Sequence, residues 1–236
     1  MSVECNFFSA CGPFTIEFGR RVLSGYRCNY RVAGFRRGLF DRLGVPLPVE
    51  LENAVPERLS DYLAGRVCAQ RLLQLLGFGA RSIIPTGVNR EPIWPIGVVG
   101  SISHSANLAV CVAAVDSDVL GVGIDIEQEI PPAIAAEISR QLVNSEEDTV
   151  IRNYFDAYNH GLTIVFSAKE SFYKAAYPQV QRFFDFSAVR VVSVDGTKVV
   201  LSVSETLSDR FQVGHRIAVN YTATGADIQT VTCLTR

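Results

Sequence analysis

Residues 108–127 read LAVCVAAVDSDVLGVGIDIE. Two apolar runs, 108–115 and 119–126, flank the polar triplet Asp116-Ser117-Asp118. Each run is short and rich in Val and Ile, which predicts two well-buried strands folded as a β-hairpin. On the N-terminal side, residues 56–77 predict a helix with Pro at its start and Gly at its end. Its apolar stripe runs Tyr62, Ala69, Leu73, Leu76 and takes in Arg66, which there needs an anionic partner or a pocket edge. Residues 1–55 are aromatic and Gly-punctuated, with seven arginines against Glu4, Glu17 and Asp41 up to Gly44. On the C-terminal side, helices are expected at 132–142, at 146–158 behind a Ser145 cap with Asp148 three residues on, and at 162–176 before Pro178. The tail, 186–234, reads as strands with Asp195-Gly196 as a tight turn. This order predicts an α+β protein of two similar-sized halves, 1–117 and 118–236.

Composition bounds the function. The 236 residues are 48% hydrophobic and 19% charged, with net charge −2, which excludes a disordered chain and argues against a general nucleic-acid binder. Six cysteines (Cys5, Cys11, Cys28, Cys68, Cys111, Cys233) form no CxxC pair, and only His104, His160 and His215 could join them. A Cys/His zinc site is therefore not expected, and the cysteines read as small buried hydrophobes. No secretory signal is evident, and no apolar run approaches the ~18 residues of a membrane span. A reducing cytoplasm is the expected compartment, with no membrane partner. Of 22 basic residues only three are lysines, 169, 174 and 198, and two of these share one short segment.

Three constellations could carry chemistry. In Gly121-Val122-Gly123-Ile124-Asp125-Ile126-Glu127, the two-residue period of a strand sets Asp125 and Glu127 side by side. Paired carboxylates ending an apolar strand repel unless a cation neutralises them, and hard oxygen donors suit Mg²⁺. A strand simply ending at the surface is the plain alternative. In Phe166-Ser167-Ala168-Lys169-Glu170-Ser171-Phe172-Tyr173-Lys174, Glu170 and Lys174 share a helical face. An exposed ion pair would explain that much, but the scarce lysines and aromatic neighbours favour a phosphate cradle. In Trp94-Pro95-Ile96-Gly97-Val98-Val99-Gly100-Ser101-Ile102-Ser103-His104, small residues let backbone approach a ligand, and Ser103 and His104 can donate to phosphate oxygens, with Arg66 and Arg90 as matching cations.

WPxGxxGSxSH, then GIDIE, then FSAKESFYK, in this order, resembles the Sfp-type 4′-phosphopantetheinyl transferases. The likeness runs from about Arg66 to Lys174; the N-terminal region and the final strands match only in general character. It implies a 4′-phosphopantetheinyl transferase fold of two pseudo-twofold-related α/β halves, with coenzyme A in the cleft between them. The first half would take the adenylate and 3′-phosphate, and the second the metal and pyrophosphate. The resemblance further implies that Asp125, Glu127 and Glu170 hold Mg²⁺ (or Mn²⁺) with the pyrophosphate of coenzyme A. Lys174 and Lys169 would contact its phosphates; Arg66, Arg90, Ser103 and His104 would bind the 3′-phosphate and adenylate end. A basic pair often joins that pocket in the family, and here Arg20-Arg21 and Arg36-Arg37 both qualify.

The implied reaction is attack by the serine hydroxyl of an apo acyl or peptidyl carrier protein on the β-phosphate of coenzyme A, releasing 3′,5′-adenosine bisphosphate. Catalysis would rest on Asp125, Glu170 and Lys174, with Glu170 rather than Glu146 or Glu147 as general base. A working monomer is expected, since one chain holds both halves. The rivals are a metal-dependent phosphodiesterase or nuclease and a non-catalytic carrier-protein-binding module.

Overall fold

The apolar runs on either side of Asp116-Ser117-Asp118 do not pair with each other. The computed structural model, which describes residues 6–79 and 82–236, divides there into two compact units, Met1–Ser117 and Asp118–Arg236. Glu4 and Cys5 lie outside the described residues. Among those described, the architecture is α+β, with one antiparallel sheet and one long helix in each unit.

The first unit begins with β1 (Phe8–Phe18) and β2 (Arg21–Tyr30), a hairpin turning at Gly19 with φ 61°. The short helix α1 (Leu39–Leu43) and the long helix α2 (Pro56–Leu75) follow, then β3 (Val99–Ser105) and β4 (Leu108–Ala114). The strand order is β1-β2-β4-β3. The hairpin involving 108–114 is therefore formed with β3, through Ala106-Asn107 at φ 47° and 64°, the left-handed pair of a two-residue turn. Flanked by β2 and β3 and covered by α2, β4 is buried along most of its length, so it reads as an unbroken apolar run. Leu63, Leu72 and Leu73 of α2 pack on Cys28, Ala109 and Cys111 of the sheet. Four cysteines, Cys28, Cys68, Cys111 and Cys233, are buried as expected; Cys11 is exposed instead.

The second unit runs β5 (Val119–Gln128), α3 (Pro132–Leu142), α4 (Ser145–Tyr154), α5 (Tyr158–Val180), β6 (Val189–Asp195), β7 (Lys198–Val203), β8 (Arg216–Thr224) and β9 (Asp227–Thr235). Its sheet order is β5-β9-β8-β7-β6, so the partner of β5 comes from the far end of the chain. The tight turn at Gly196, φ 52°, closes β6 on β7 as its sequence foretells. The cap of α4 falls one residue earlier than expected. Asn144 accepts from the backbone N–H of Glu146 and Glu147, and Glu147 accepts from the Asn144 N–H, a reciprocal capping box. Helix α5 starts at Tyr158 and carries Pro178 inside its last turns, where one missing N–H breaks little of the ladder.

Candidate functional site

One face of β5 presents Gly121, Gly123, Asp125 and Glu127 in succession. The backbone of α5 crosses that face closely. A Cβ at Gly121 would overlap the carbonyl oxygen of Ala175, and one at Gly123 that of Ser171. One turn earlier, Ser167 Oγ donates to Asp125 Oδ2 at 2.8 Å. Steps of four along the helix, about 6 Å, keep pace with steps of two along the strand, about 6.6 Å. The glycines are thus what let the helix lie near enough for its side chains to meet the strand-end carboxylates.

Asp125 is 3% exposed. Its Oδ1 lies 2.6 Å from Lys174 Nζ, which also donates to Ile124 O at 3.2 Å. Thr230, directly across from Asp125 on β9, donates to Ser167 O at 2.8 Å, which leaves the Ser167 proton for Asp125. Ser171 Oγ donates to Thr230 O at 3.1 Å. The residues Ser167, Ser171 and Thr230 thus form a buried hydroxyl floor beneath the carboxylate. Sequence reasoning missed this floor, although Ser167 and Ser171 stand four apart inside the quoted motif.

Glu127 and Glu170 are half-buried. Burial first, then the charges of Asp125 and Glu170, push the Glu127 carboxyl up to about 7, against the pull of Lys174. Glu170 is also raised, by burial and by Asp125, again opposed by Lys174. Glu127 therefore feels both other carboxylates and Glu170 feels Asp125, while Lys174 opposes both shifts and pairs directly with Asp125. The donor chemistry suits a hard divalent cation. Among the described residues, however, no three carboxylate, His or Cys side chains converge to enclose a metal by themselves. Protein oxygens would have to be completed by phosphate and water, the usual habit of Mg²⁺.

Lys169 departs from the expectation that it reaches the phosphates. It is 2% exposed, pairs with Glu147 at 2.8 Å, and donates to Leu142 O and Phe186 O. The same Glu147 accepts from Val191 N–H on β6, so this ion pair ties α5 to α4 and the far edge of the sheet. Burial lowers the Lys169 ammonium while Glu147 supports it. Glu146 sits in an exposed pair with Arg190. Neither Glu146 nor Glu147 stands with the carboxylate cluster.

In the first unit, Arg66, Arg90 and His104 line one cavity of about 400 Å³. Arg66 is 7% exposed; its Nη2 donates to Thr86 Oγ1 at 3.0 Å, and its guanidinium lies over the Tyr62 ring at 4.7 Å. Its buried Nε has no hydrogen-bond partner, and among the described residues no carboxylate pairs with it. Arg90 enters from a tight loop at φ 70°, closed by Arg90 N–H to Gly87 O at 3.0 Å. Arg58 and Asp61 line the same cavity and escaped the sequence reading; Tyr62, there only part of the apolar stripe, lines it too. Arg58 and Tyr62 lie eight and four residues before Arg66 on one helix face, so the helical period could have found them; Asp61, five before, lies about 140° round the helix, and the period alone does not reach it.

Two further expectations are corrected here. Ser103 is buried on β3 but does not line the cavity; neighbouring strand residues point to opposite faces, so it cannot join His104 there. Gly100 makes room for Trp94 rather than for a ligand, since a Cβ there would run into the indole ring. Of the two basic pairs, Arg37 donates to Glu52 O at the end of the Val49–Leu51 turn that edges the cavity. Arg21 instead pairs with Asp116, beyond the β1–β2 turn.

Comparison with known proteins matches these two regions separately. Residues 47–114 match the 4′-phosphopantetheinyl transferase N-terminal domain, and residues 121–228 the 4′-phosphopantetheinyl transferase superfamily. Enterobactin synthase component D of Salmonella typhimurium is 34% identical over 161 residues, 68% of this chain and 66% of that protein. The protein of the same name from Escherichia coli K12 is 29% identical over 180 residues, covering 76% and 84%. The 4′-phosphopantetheinyl transferase Svp of Streptomyces mobaraensis is 34% identical over 136 residues, covering 57% and 54%. The aligned stretch thus spans just under two thirds of the Salmonella protein's length. The cavity of the first unit falls largely within one matched domain and the carboxylate cluster within the other, and the chain belongs to the 4′-phosphopantetheinyl transferase superfamily.

Proposed function

We propose that the chain transfers 4′-phosphopantetheine from coenzyme A to a serine of an apo acyl or peptidyl carrier protein, of the kind used in siderophore or other secondary-metabolite synthesis. The observation that carries this reading is the meeting of Asp125, Glu127, Glu170 and Lys174, from two motifs 39 or more residues apart, on one strand-end. Hydrolysis of phosphodiesters could use similar groups, but the net charge of −2 gives no support to a nucleic-acid substrate. Among the described residues, no helix is long and apolar enough to cross a membrane.

Asp125 and Glu127, with Glu170 alongside, would hold Mg²⁺ or Mn²⁺ together with pyrophosphate oxygens. When bound, the ion supplies neutralisation of the charge that develops on those oxygens. The chain's own residues do the rest. Lys174, paired with Asp125 Oδ1 at 2.6 Å, would offer its ammonium to the pyrophosphate as well. Glu170, at the edge of the cation site, would take the serine Oγ proton. A bond then forms from Oγ to the β-phosphorus, the bond from that phosphorus to the bridging oxygen breaks, and 3′,5′-adenosine bisphosphate leaves. Arg66, Arg90, Arg58 and His104 would grip its 3′-phosphate, with Arg36-Arg37 rather than Arg20-Arg21 as the added basic pair. Positioning and charge compensation, more than covalent chemistry, are what such a transfer asks of a protein.

Incubation with coenzyme A, Mg²⁺ and a panel of apo carrier proteins, followed by mass spectrometry, tests the reading. A phosphopantetheine mass gain on carrier serine is expected, and Asp125→Ala should abolish it. No gain across a broad panel, with phosphodiester cleavage in its place, would transfer the site to the hydrolase rival.

A further inference from the structure

His104 enters its cavity from β3 between two α2 side chains of opposite charge. Arg58 Nη1 lies 3.2 Å from Nε2, and Asp61 Oδ2 lies 3.7 Å from Nδ1. A guanidinium has donors only, so Nε2 is an acceptor here and the ring proton sits on Nδ1, facing Asp61. Asp61 is itself anchored: Tyr30 OH, from the buried side of β2, donates to Oδ1 at 2.5 Å. Burial and then Asp61 push the Tyr30 hydroxyl well above its ordinary range, so it stays a donor. Among the described residues, the other charged or titratable groups lining the cavity are Tyr62 and Arg66 on α2, Glu50 on the turn, and Arg90 on the loop.

We propose that Asp61 is a positioning residue that couples phosphate-monoester binding in this cavity to uptake of one proton at His104 Nε2. The proposal rests on reading the cavity as the 3′-phosphate subsite. A monoester dianion competes for Arg58, whose fork suits two phosphate oxygens better than one ring nitrogen. Once Arg58 turns to the ligand, either neutral tautomer leaves one ring lone pair facing an anion, phosphate at Nε2 or Asp61 at Nδ1, and only the imidazolium donates to both. The proton comes from solvent, no covalent bond changes, and the imidazolium then bridges phosphate at Nε2–H and Asp61 at Nδ1–H. The Tyr30 anchor keeps the carboxylate in place throughout. An amide at position 61 could still accept a hydrogen bond, but it would not balance the new positive charge.

Calorimetric titration with 3′,5′-adenosine bisphosphate at about pH 8, in buffers of different ionisation enthalpy, counts the protons. Wild type should take up close to one proton per ligand. His104→Asn should take up none, and Asp61→Asn only a small fraction of one, with affinity reduced about tenfold. Nitrogen NMR of wild-type His104 gives the same answer without a variant: Nδ1-protonated and neutral when free, protonated on both nitrogens when bound. Binding without proton uptake, or uptake undiminished in a folded Asp61→Asn, would overturn the coupling while leaving the subsite standing. Failure of wild type to bind the bisphosphate would overturn the subsite, and the coupling with it.

Discussion

Lys169 and Lys174 lie five residues apart on one helix, and five steps of rotation set them about 140° from each other. One faces the carboxylate cluster and the other faces the interior, where Glu147 receives it. Removing one member of a buried pair leaves a buried charge, at about 3–5 kcal/mol. Lys169→Met should therefore lower the melting temperature by several degrees. At temperatures where it stays folded, coenzyme A affinity should be little changed. Lys174→Ala should weaken coenzyme A about tenfold, and it should lower the melt as well, because it leaves the buried Asp125 carboxylate without its cation. Calorimetry on both variants separates the roles: full coenzyme A affinity in Lys174→Ala, or a tenfold loss in folded Lys169→Met, would refute the assignment. The shortage of lysine did point to this segment, but a count has no direction; the helical period supplies it, just as strand alternation separates Ser103 from His104. Glu127 carries a pH signature. Its folded-state pKa, about 7, stands above the ordinary carboxylate value, so the fold binds its proton more tightly than the unfolded chain does. Stability from this group is highest below the unfolded pKa, declines as pH rises, and is fully lost above about 7. Glu127→Gln should accordingly raise the melting temperature of the metal-free protein by about 1–3 °C at pH 8, with no gain near pH 4.5. Equal gains at both pH values would mean the carboxylate is not strained.

The hairpin expected across Asp116-Ser117-Asp118 fails for a reason inherent in apolar runs. A strand buried on both faces displays no alternation, so its sequence names its environment and not its partner. β4 and β5 are both of this kind, and the turn signal between them marks a passage from one unit to the next. The true partner of β5 is over a hundred residues away in sequence, beyond the reach of local pattern. Helix bounds were legible where a cap is local, as at Pro56 and Pro132, and slipped by one where Asn144 and Ser145 compete for the same role. What local pattern does reveal in β5 is its pair of glycines. Their spacing matches successive turns of α5, and a methyl group at Gly123 meets a backbone oxygen that cannot rotate away. Gly123→Ala should cost about 1–3 kcal/mol and displace Lys174 from Asp125, so that transferase activity falls further than stability predicts. Gly12→Ala is the control, because a Cβ there meets nothing within 4 Å. Comparable loss in both variants would show that the close helix–strand crossing is not what aligns the cluster.

At the scale of the whole molecule, the near-neutral total conceals a division. The first 117 residues hold twelve arginines and no lysine against nine acids, a formal +3; the remainder holds ten basic residues against fifteen acids, a formal −5. The basic unit carries the cavity with Arg58, Arg66, Arg90 and His104, and the acidic unit carries Asp125, Glu127 and Glu170. Each unit also has its own hydrophobic core, Leu63, Leu72 and Cys111 in one, Ile164, Phe172 and Val219 in the other. The proposed anion and cation recognitions would thus be built on separately packed scaffolds, each with the sign of charge its ligand requires. It follows that the two recognitions should be separable by mutation. A ligand at a hundred times its dissociation constant stabilises the state it binds by about 2.7 kcal/mol, a shift readily seen in a melt. Arg66→Ala should remove the shift caused by 3′,5′-adenosine bisphosphate and leave that caused by Mg²⁺ with pyrophosphate. Asp125→Ala should do the opposite, and in the double variant the two losses should add, as independent sites require. If either single variant abolishes both shifts, the two recognitions are one cooperative site, and the division of charge between the units does not correspond to a division of labour.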